Sequence, residues 1–343
     1  MIIIFGGTTE GRIAAKVLDE AGSPYYYSTR GNAQQIECKH GTRMTGGLDS
    51  NAMLEFCTTH DIRLIIDAAH PFASLLHSTV GAVSEQLDIP VIRLERRYPP
   101  RDESLVWCDS FDDAIDYLES HEINHLLALS GVQTIGKLRR YWEKHACHFR
   151  VLDREDSRTL AKQTGFPEKN LLFWHEGQDE LALFRQLHPG AILTKESGES
   201  GYYEEKVTAA RQLGIPVIVI RRPPLPDSFY TVNGEHGLRY RVERLLPGFY
   251  PLRSGFTTGS CATAATRAAL RGLLTRETQH SATITLPDGE TVTLPVSSCV
   301  FTDSNCTCGV IKDAGDDPDV TNGYTVLSTV SLTTQPGIQF LPG

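Results

Sequence analysis

Residues 2–15, "IIIFGGTTEGRIAA", set two glycines, two threonines and a glutamate between a run of β-formers and a helix-like stretch. In that position Gly6, Gly7, Thr8, Thr9 and Glu10 can turn the unbonded N–H groups of a helix start, and the positive end of its dipole, toward a phosphate. The spacing approaches GxGxxG, with Gly6 and Gly11 in place and Thr8 where the middle glycine would be. Arg12-Ile13 follows Gly11, so the Lys-Ser/Thr of a Walker loop is absent. A tight strand-to-helix turn with a threonine N-cap accounts for the same residues. The next strand ends in Ser28-Thr29-Arg30. An acidic residue there suits the ribose hydroxyls of NAD, whereas an arginine offers a charged fork to the 2′-phosphate of NADP. A solvated loop arginine is the other reading.

A loop of this kind needs strands and helices to aim it. Strand-like runs recur at 2–5, 25–28, 64–67, 91–94, 125–129, 191–193 and 216–220, with amphipathic helical patterns such as 12–21 and 204–213 between many of them. Short apolar strands alternating with helices predict parallel sheets covered on both faces. The expected class is α/β: two doubly wound, Rossmann-like units over residues 1–98 and 99–225, divided near "RYPPRDES". Residues 226–252, with "RRPPLPDSF" just before and within them and "LLPGFYPLRSGF" at their end, read as a linker. A small α+β region follows over 253–343, with an alanine-rich helix at 261–274 and alternating segments at 282–286 and 291–296 around the turn Pro287-Asp288-Gly289.

At 343 residues the chain is long enough for two or three cores. Its net charge of −9 argues against binding nucleic acid or anionic lipid through a basic face. No apolar run is long enough to span a membrane, and Met1–Phe5 enters a strand pattern without a secretory leader, so a cytoplasmic protein is expected. Eight cysteines are scattered without CxxC spacing, and Cys306-Thr-Cys308 alone offers too few ligands. No metal site is expected.

Several stretches together resemble the precorrin-6A reductases of corrin biosynthesis: Gly6 to Glu10, "DAAHPFA" at 67–73, "RLER" at 93–96, "TKESG" at 194–198 and "KVTAARQLGIPVIVIRRP" at 206–223. Their order and spacing cover residues 1–225. The family's usual Asp-Ala-Thr-His has Ala69 for threonine here, and its usual Lys-x-Ser-Gly-Gly ends in Glu199. The third region is similar to another enzyme of the pathway, the cobalt-precorrin-5B C1-methyltransferase, in "SGFTTGSCATAA" at 254–265 and "VIKDAGDDPDVTNG" at 310–323. Only an N-terminal fragment of that family is matched, so no methyl transfer is expected from it, and S-adenosylmethionine would be a cofactor only of a complete region.

The resemblance implies NADPH as cofactor and a tetrapyrrole, (cobalt-)precorrin-6A, as substrate. One C=C bond would be reduced by hydride and proton addition, at an active site between the two units. Gly6 to Glu10 with Ser28, Thr29 and Arg30 would hold the cofactor. His70 and Lys195 are the candidates for catalysis, although His70 can equally tie down its turn. Phe72, Ser130, Gly131, Ser197, Gly198, Arg96 and Arg222 are candidates for substrate binding. Several have a structural alternative: core packing for Phe72, a turn for Gly131, a solvated face or an ion pair for each arginine. Arg93, Arg97, Arg101 and Arg221 are further cations for a polycarboxylate. Other cobalamin-pathway enzymes are conceivable partners, and a non-catalytic module that binds or channels corrin intermediates is the rival reading. It predicts macrocycle binding without affinity for NADPH.

Overall fold

The computed structural model describes residues 1–31, 36–287 and 289–341. It divides into two compact units, one built from residues 1–70, 75–95 and 226–343, the other from 71–74 and 96–225. The strands are β1(Ile2–Phe5), β2(Tyr25–Thr29), β3(Gly41–Thr45), β4(Leu64–Asp67) and β5(Val91–Leu94), then β6(Val106–Cys108), β7(His125–Ala128), β8(Ala146–Leu152), β9(Leu171–Trp174), β10(Ala191–Lys195) and β11(Val217–Ile220). β12(Tyr230–Val232), β13(Ser281–Thr285), β14(Thr291–Pro295), β15(Ser298–Phe301), β16(Asn305–Ile311) and β17(Thr325–Ser331) complete the chain.

In the first unit the sheet runs β3-β2-β1-β4-β5-β12, every pair parallel. Ile2, Ile3, Ile4 and Phe5 are buried on both faces of β1, as a central parallel strand requires. The strand order reverses between β1 and β4, the topological switch point at which such sheets bind ligands. The second unit repeats the plan as β9-β8-β7-β10-β11-β6, again all parallel, with its reversal between β7 and β10. The α/β class and the paired Rossmann-like sheets are as expected from the sequence.

The stretch read as a linker is a structural correction. Residues 226–252 supply β12, which pairs with β5, and the helix Gly234–Leu245. That helix buries Leu238 and Val242 in the first sheet's core, while its Tyr240 packs against the core of the C-terminal region. Glu290, only 4% exposed, accepts from the amides of His236 (3.2 Å) and Gly237 (3.1 Å) and so caps the helix. Prolines at 223, 224 and 226 masked this element, because they interrupt the pattern just before it begins.

The C-terminal region is α+β as expected. The helix Thr258–Thr275 lays Ala264, Ala265, Ala268 and Ala269 on an antiparallel hairpin, β13-β14, and on the three-stranded antiparallel sheet β15-β16-β17. Asp288, in the turn expected between β13 and β14, lies outside the described residues. Among the described residues no helix is long and apolar enough to cross a membrane.

Candidate functional site

The first switch point is built by register. Phe5 lies opposite Ser28, so the chains leaving β1 and β2 run side by side and the amide of Gly6 donates to the Ser28 carbonyl at 2.9 Å. Arg30 is one residue beyond β2 and exposed, and it makes no ion pair among the described residues. Thr8 caps the helix Thr9–Asp19: its Oγ1 accepts from the Gly11 amide (3.1 Å) and donates to the Ala68 carbonyl (2.7 Å). One hydroxyl thus ties the β1 loop to the chain leaving β4. The exposed Thr9 amide has no acceptor among the described residues, which leaves a donor at the positive end of the helix.

The glycines have an internal reason as well. A Cβ on Gly6 would lie 2.2 Å from the Tyr27 hydroxyl, and one on Gly11 2.5 Å from it. The Tyr27 ring fills the underside of the loop, and its hydroxyl accepts from the Gly7 amide at 3.3 Å. Gly7 itself has φ +97°, a backbone conformation that glycine adopts without strain. Of the residues expected to face a cofactor, Glu10, Ser28 and Thr29 are buried, and the Thr29 hydroxyl donates to the Gly31 carbonyl.

Beyond β4 lies a network that the sequence reading missed. Asp67, fully buried, accepts from the His77 ring (2.6 Å), from Arg93 Nη1 (2.9 Å) and from the Ala69 amide (3.1 Å). Arg93 Nη1 also donates to the Ala69 carbonyl, and the second ring nitrogen of His77 lies 3.2 Å from the His70 carbonyl. Burial alone would raise the Asp67 pKa, but the His77 hydrogen bond and the Arg93 charge outweigh it and hold the carboxyl below its ordinary value. Arg93 is therefore no cation for a substrate: it is 1% exposed and fixes the loop that carries His70. The available signal was spacing, since His77 lies ten residues after Asp67, one turn into the helix Ser74–Leu87.

At the second unit's switch point, Lys195 ends β10 with its Nζ 5.0 Å from the centre of the Phe72 ring. Burial pushes its pKa down to about 8, with the charges of Lys137 and Arg96 adding to the shift. No carboxylate pairs with it among the described residues. The neighbouring cations are engaged. Arg101 grips Glu196 through both carboxylate oxygens (3.1 and 3.0 Å), Arg221 pairs with Asp109, and Arg96 Nη1 donates to the Ser197 carbonyl at 2.9 Å. Arg222 lies over the Tyr98 ring at 3.6 Å, with its amide bonded to Glu196.

Four residues expected to meet a ligand are used by the fold. The Ser130 hydroxyl is 2.6 Å from that of Thr134, and Gly131, at φ +86°, turns the chain there. A Cβ on Gly198 would lie 2.6 Å from the Arg97 carbonyl, so this glycine admits the protein's own backbone. The Ser197 hydroxyl turns toward the Gly201 carbonyl.

Comparison with known proteins bears on these two sheets directly. Residues 1–237 match the family described as precorrin-6x reductase CbiJ/CobK. The chain belongs to that family. A cobalt-precorrin-6A reductase from Methanothermobacter thermautotrophicus is 31% identical over 233 residues, which cover 65% of this chain and 76% of that protein. A solved structure titled CobK precorrin-6A reductase shares the fold, with a TM-score of 0.60 and 22% identity over 73% of this chain and 98% of that one. Residues 248–343 match the CbiD family. A cobalt-precorrin-5B C(1)-methyltransferase from Geobacillus kaustophilus is 53% identical over 87 residues, but these span only 23% of its length.

In this CbiJ/CobK-family chain, the two stretches that resemble the methyltransferase meet in space. The Phe256 amide donates to the Asp313 carbonyl (2.7 Å) and the Asp316 amide to that of Arg253 (3.1 Å), and a Cβ on Gly255 would lie 2.1 Å from the backbone of Ala314. The acidic run is balanced by cations rather than laid out for calcium. Asp313 meets Arg244 and Arg253, and Asp319 meets the buried Lys312, whose Nζ also donates to Thr258 (3.0 Å) and Thr321 (2.8 Å).

Proposed function

We propose that the chain reduces one C=C bond of (cobalt-)precorrin-6A to give (cobalt-)precorrin-6B in anaerobic cobalamin biosynthesis, with NADPH as reductant. The observation that carries this reading is the first switch point of a CbiJ/CobK-family chain, where a Thr8-capped helix start follows β1 and the neighbouring β2 is followed by an exposed arginine with no ion pair among the described residues. The Thr9 amide and the helix dipole fit a pyrophosphate, and Arg30 fits the 2′-phosphate that distinguishes NADPH from NADH. Gly6, Gly7 and Thr8 shape that loop. Glu10, Ser28 and Thr29 support it from within.

When bound, the nicotinamide supplies the hydride. The chain's own contribution is to position, to exclude water and to move a proton. Lys195 is assigned the proton: its depressed pKa keeps it mostly protonated at neutral pH yet able to release the proton near it. Phe72, beneath its ammonium, offers an apolar face to a macrocycle. Arg96 and Arg222 are assigned to the substrate carboxylates, and Ser130, Gly131, Ser197 and Gly198 to shaping the walls. The imidazole of His70, held on a loop anchored by Asp67 and Arg93, is assigned a hydrogen bond to a substrate carboxylate.

The test is anaerobic incubation of the full chain with NADPH and the oxidised macrocycle. Consumption of reduced nicotinamide in proportion to macrocycle is expected. Macrocycle binding without NADPH oxidation and without NADPH affinity would replace this reading with that of a carrier.

A further inference from the structure

The helix Thr258–Thr275 carries Gly272 in its last turns, although glycine there weakens a helix and alanines occupy most other contact positions. What it touches explains it. A Cβ on Gly272 would lie 3.1 Å from Cys306 Sγ and 3.5 Å from Cys299 Sγ. The helix backbone therefore rests directly on a group of thiols. Cys299 of β15 stands opposite Cys308 of β16, and Cys306 is on the same face of β16 two residues earlier. The three sulfurs all lie within 4.8 Å of one another, with Cys299 and Cys306 at 3.8 Å and Cys306 and Cys308 at 4.0 Å. Cys306 and Cys308 are fully buried and Cys299 partly exposed, and all eight cysteines of the chain are free thiols.

We propose that Cys299, Cys306 and Cys308 form a three-thiolate binding site for a thiophilic divalent cation of the zinc class. Thiolates bound to zinc at about 2.3 Å and arranged tetrahedrally stand about 3.8 Å apart. Two of the three separations are already close to that value and the third is within 4.8 Å, so side-chain adjustment closes the set around one ion. Soft sulfur donors select zinc and its neighbours over magnesium or calcium. Three protein ligands leave one coordination position, on the side of the partly exposed Cys299, for water or an external donor. Binding releases the protons of the three thiols and involves no change of oxidation state. Sequence spacing hid the site, because Cys299 joins the pair at 306 and 308 only through the hairpin register.

The experiment uses the full chain, reduced and freed of metal by a chelator, titrated with Co2+ alone as a spectroscopic substitute for Zn2+. The expected result is a sulfur-to-cobalt charge-transfer band in the near ultraviolet that saturates at one ion per chain and is discharged by Zn2+. Cys299→Ser, at the partly exposed position, should weaken binding at least tenfold while leaving the circular dichroism unchanged. Gly272→Ala, which pushes a methyl against two of the sulfurs, should weaken it in the same direction. A wild-type chain with no band would overturn the proposal. So would a band undiminished by both Cys299→Ser and Cys308→Ser, because the thiolates would then be Cys38, Cys57, Cys108, Cys147 or Cys261.

Discussion

The two six-stranded sheets have the same strand order, yet their switch points hold opposite contents. In the first, the side chains beneath the loop are bonded to the protein itself: Tyr27 to Gly7, Thr8 to Ala68, and Asp67 to His77 and Arg93. In the second, Lys195 stands without a carboxylate partner among the described residues, over an aromatic ring, with its pKa displaced by burial. Topology tells where a ligand binds. Which side chains remain uncommitted tells what happens there. The first switch point is tied together by its own bonds, and the second holds the buried ammonium to which the proposed reaction assigns the proton.

The largest effect should come from breaking the bonds of the first. Arg93→Ala leaves the fully buried Asp67 carboxylate without its guanidinium partner, and loss of one partner of a buried pair costs about 3–5 kcal/mol. Denaturant unfolding should show that loss in full. The contrasting variant is Arg140→Ala, whose arginine pairs with Asp116 with both side chains exposed (45% and 68%). Solvent screens that pair, so its loss should be a small fraction of the first. Equal losses from the two would mean that Asp67 is reached by solvent and the network around it is not closed.

Next in size is Lys195→Gln, which keeps a polar side chain one atom shorter and removes the acidic proton. The expected fall in kcat is about 10²–10⁴-fold, the usual contribution of a positioned acid, with NADPH affinity unchanged. In the wild type, kcat should decline as pH rises through about 8, because Lys195 is then losing the proton it donates. Stability should move the other way. A lysine whose folded pKa lies below its unfolded value of 10.5 binds fewer protons in the folded state, so stability rises with pH between about 8 and 10.5. A rise in KM alone would make Lys195 a carboxylate anchor and leave the proton to another group.

These two sites also mark how far the sequence could be read. Central strands such as β1, an unbroken run of β-formers, and β10, with its apolar core Ile192-Leu193, are legible as they stand. β3, "GTRMT", is an exposed edge strand with no apolar period, and β12 follows a run of prolines. Neither carries a local signal strong enough to call for a strand, and both exist because a neighbouring strand offers them hydrogen bonds. In the candidate sites, the loop, Arg30 and Lys195 could be singled out by type and position. His77 and Glu196 could not, because their roles depend on partners brought near by folding. Arg93 shows the converse: an arginine near the end of a strand reads as surface charge until Asp67, its cross-strand neighbour, is seen beside it. Gly198 and Ser130 were legible as special positions, but the close approaches they serve are made by the protein's own chain.

The smallest effect separates the two accounts of the first loop. If Gly6 and Gly11 serve only to admit Tyr27, the loop is a turn and Arg30 is a solvated arginine. If the loop also seats a dinucleotide, Arg30→Ala removes a charge-assisted contact worth about 1.5–3 kcal/mol, which is about 10–100-fold in NADPH affinity. NADH lacks the 2′-phosphate, so its affinity should not change. Fluorescence titration of both cofactors on wild type and variant measures the difference. Arg30 is exposed and makes no ion pair within the described fold, so the substitution should leave unfolding unaltered. Equal losses for NADPH and NADH, or none for either, would remove the 2′-phosphate contact and leave the loop's glycines explained by Tyr27 alone.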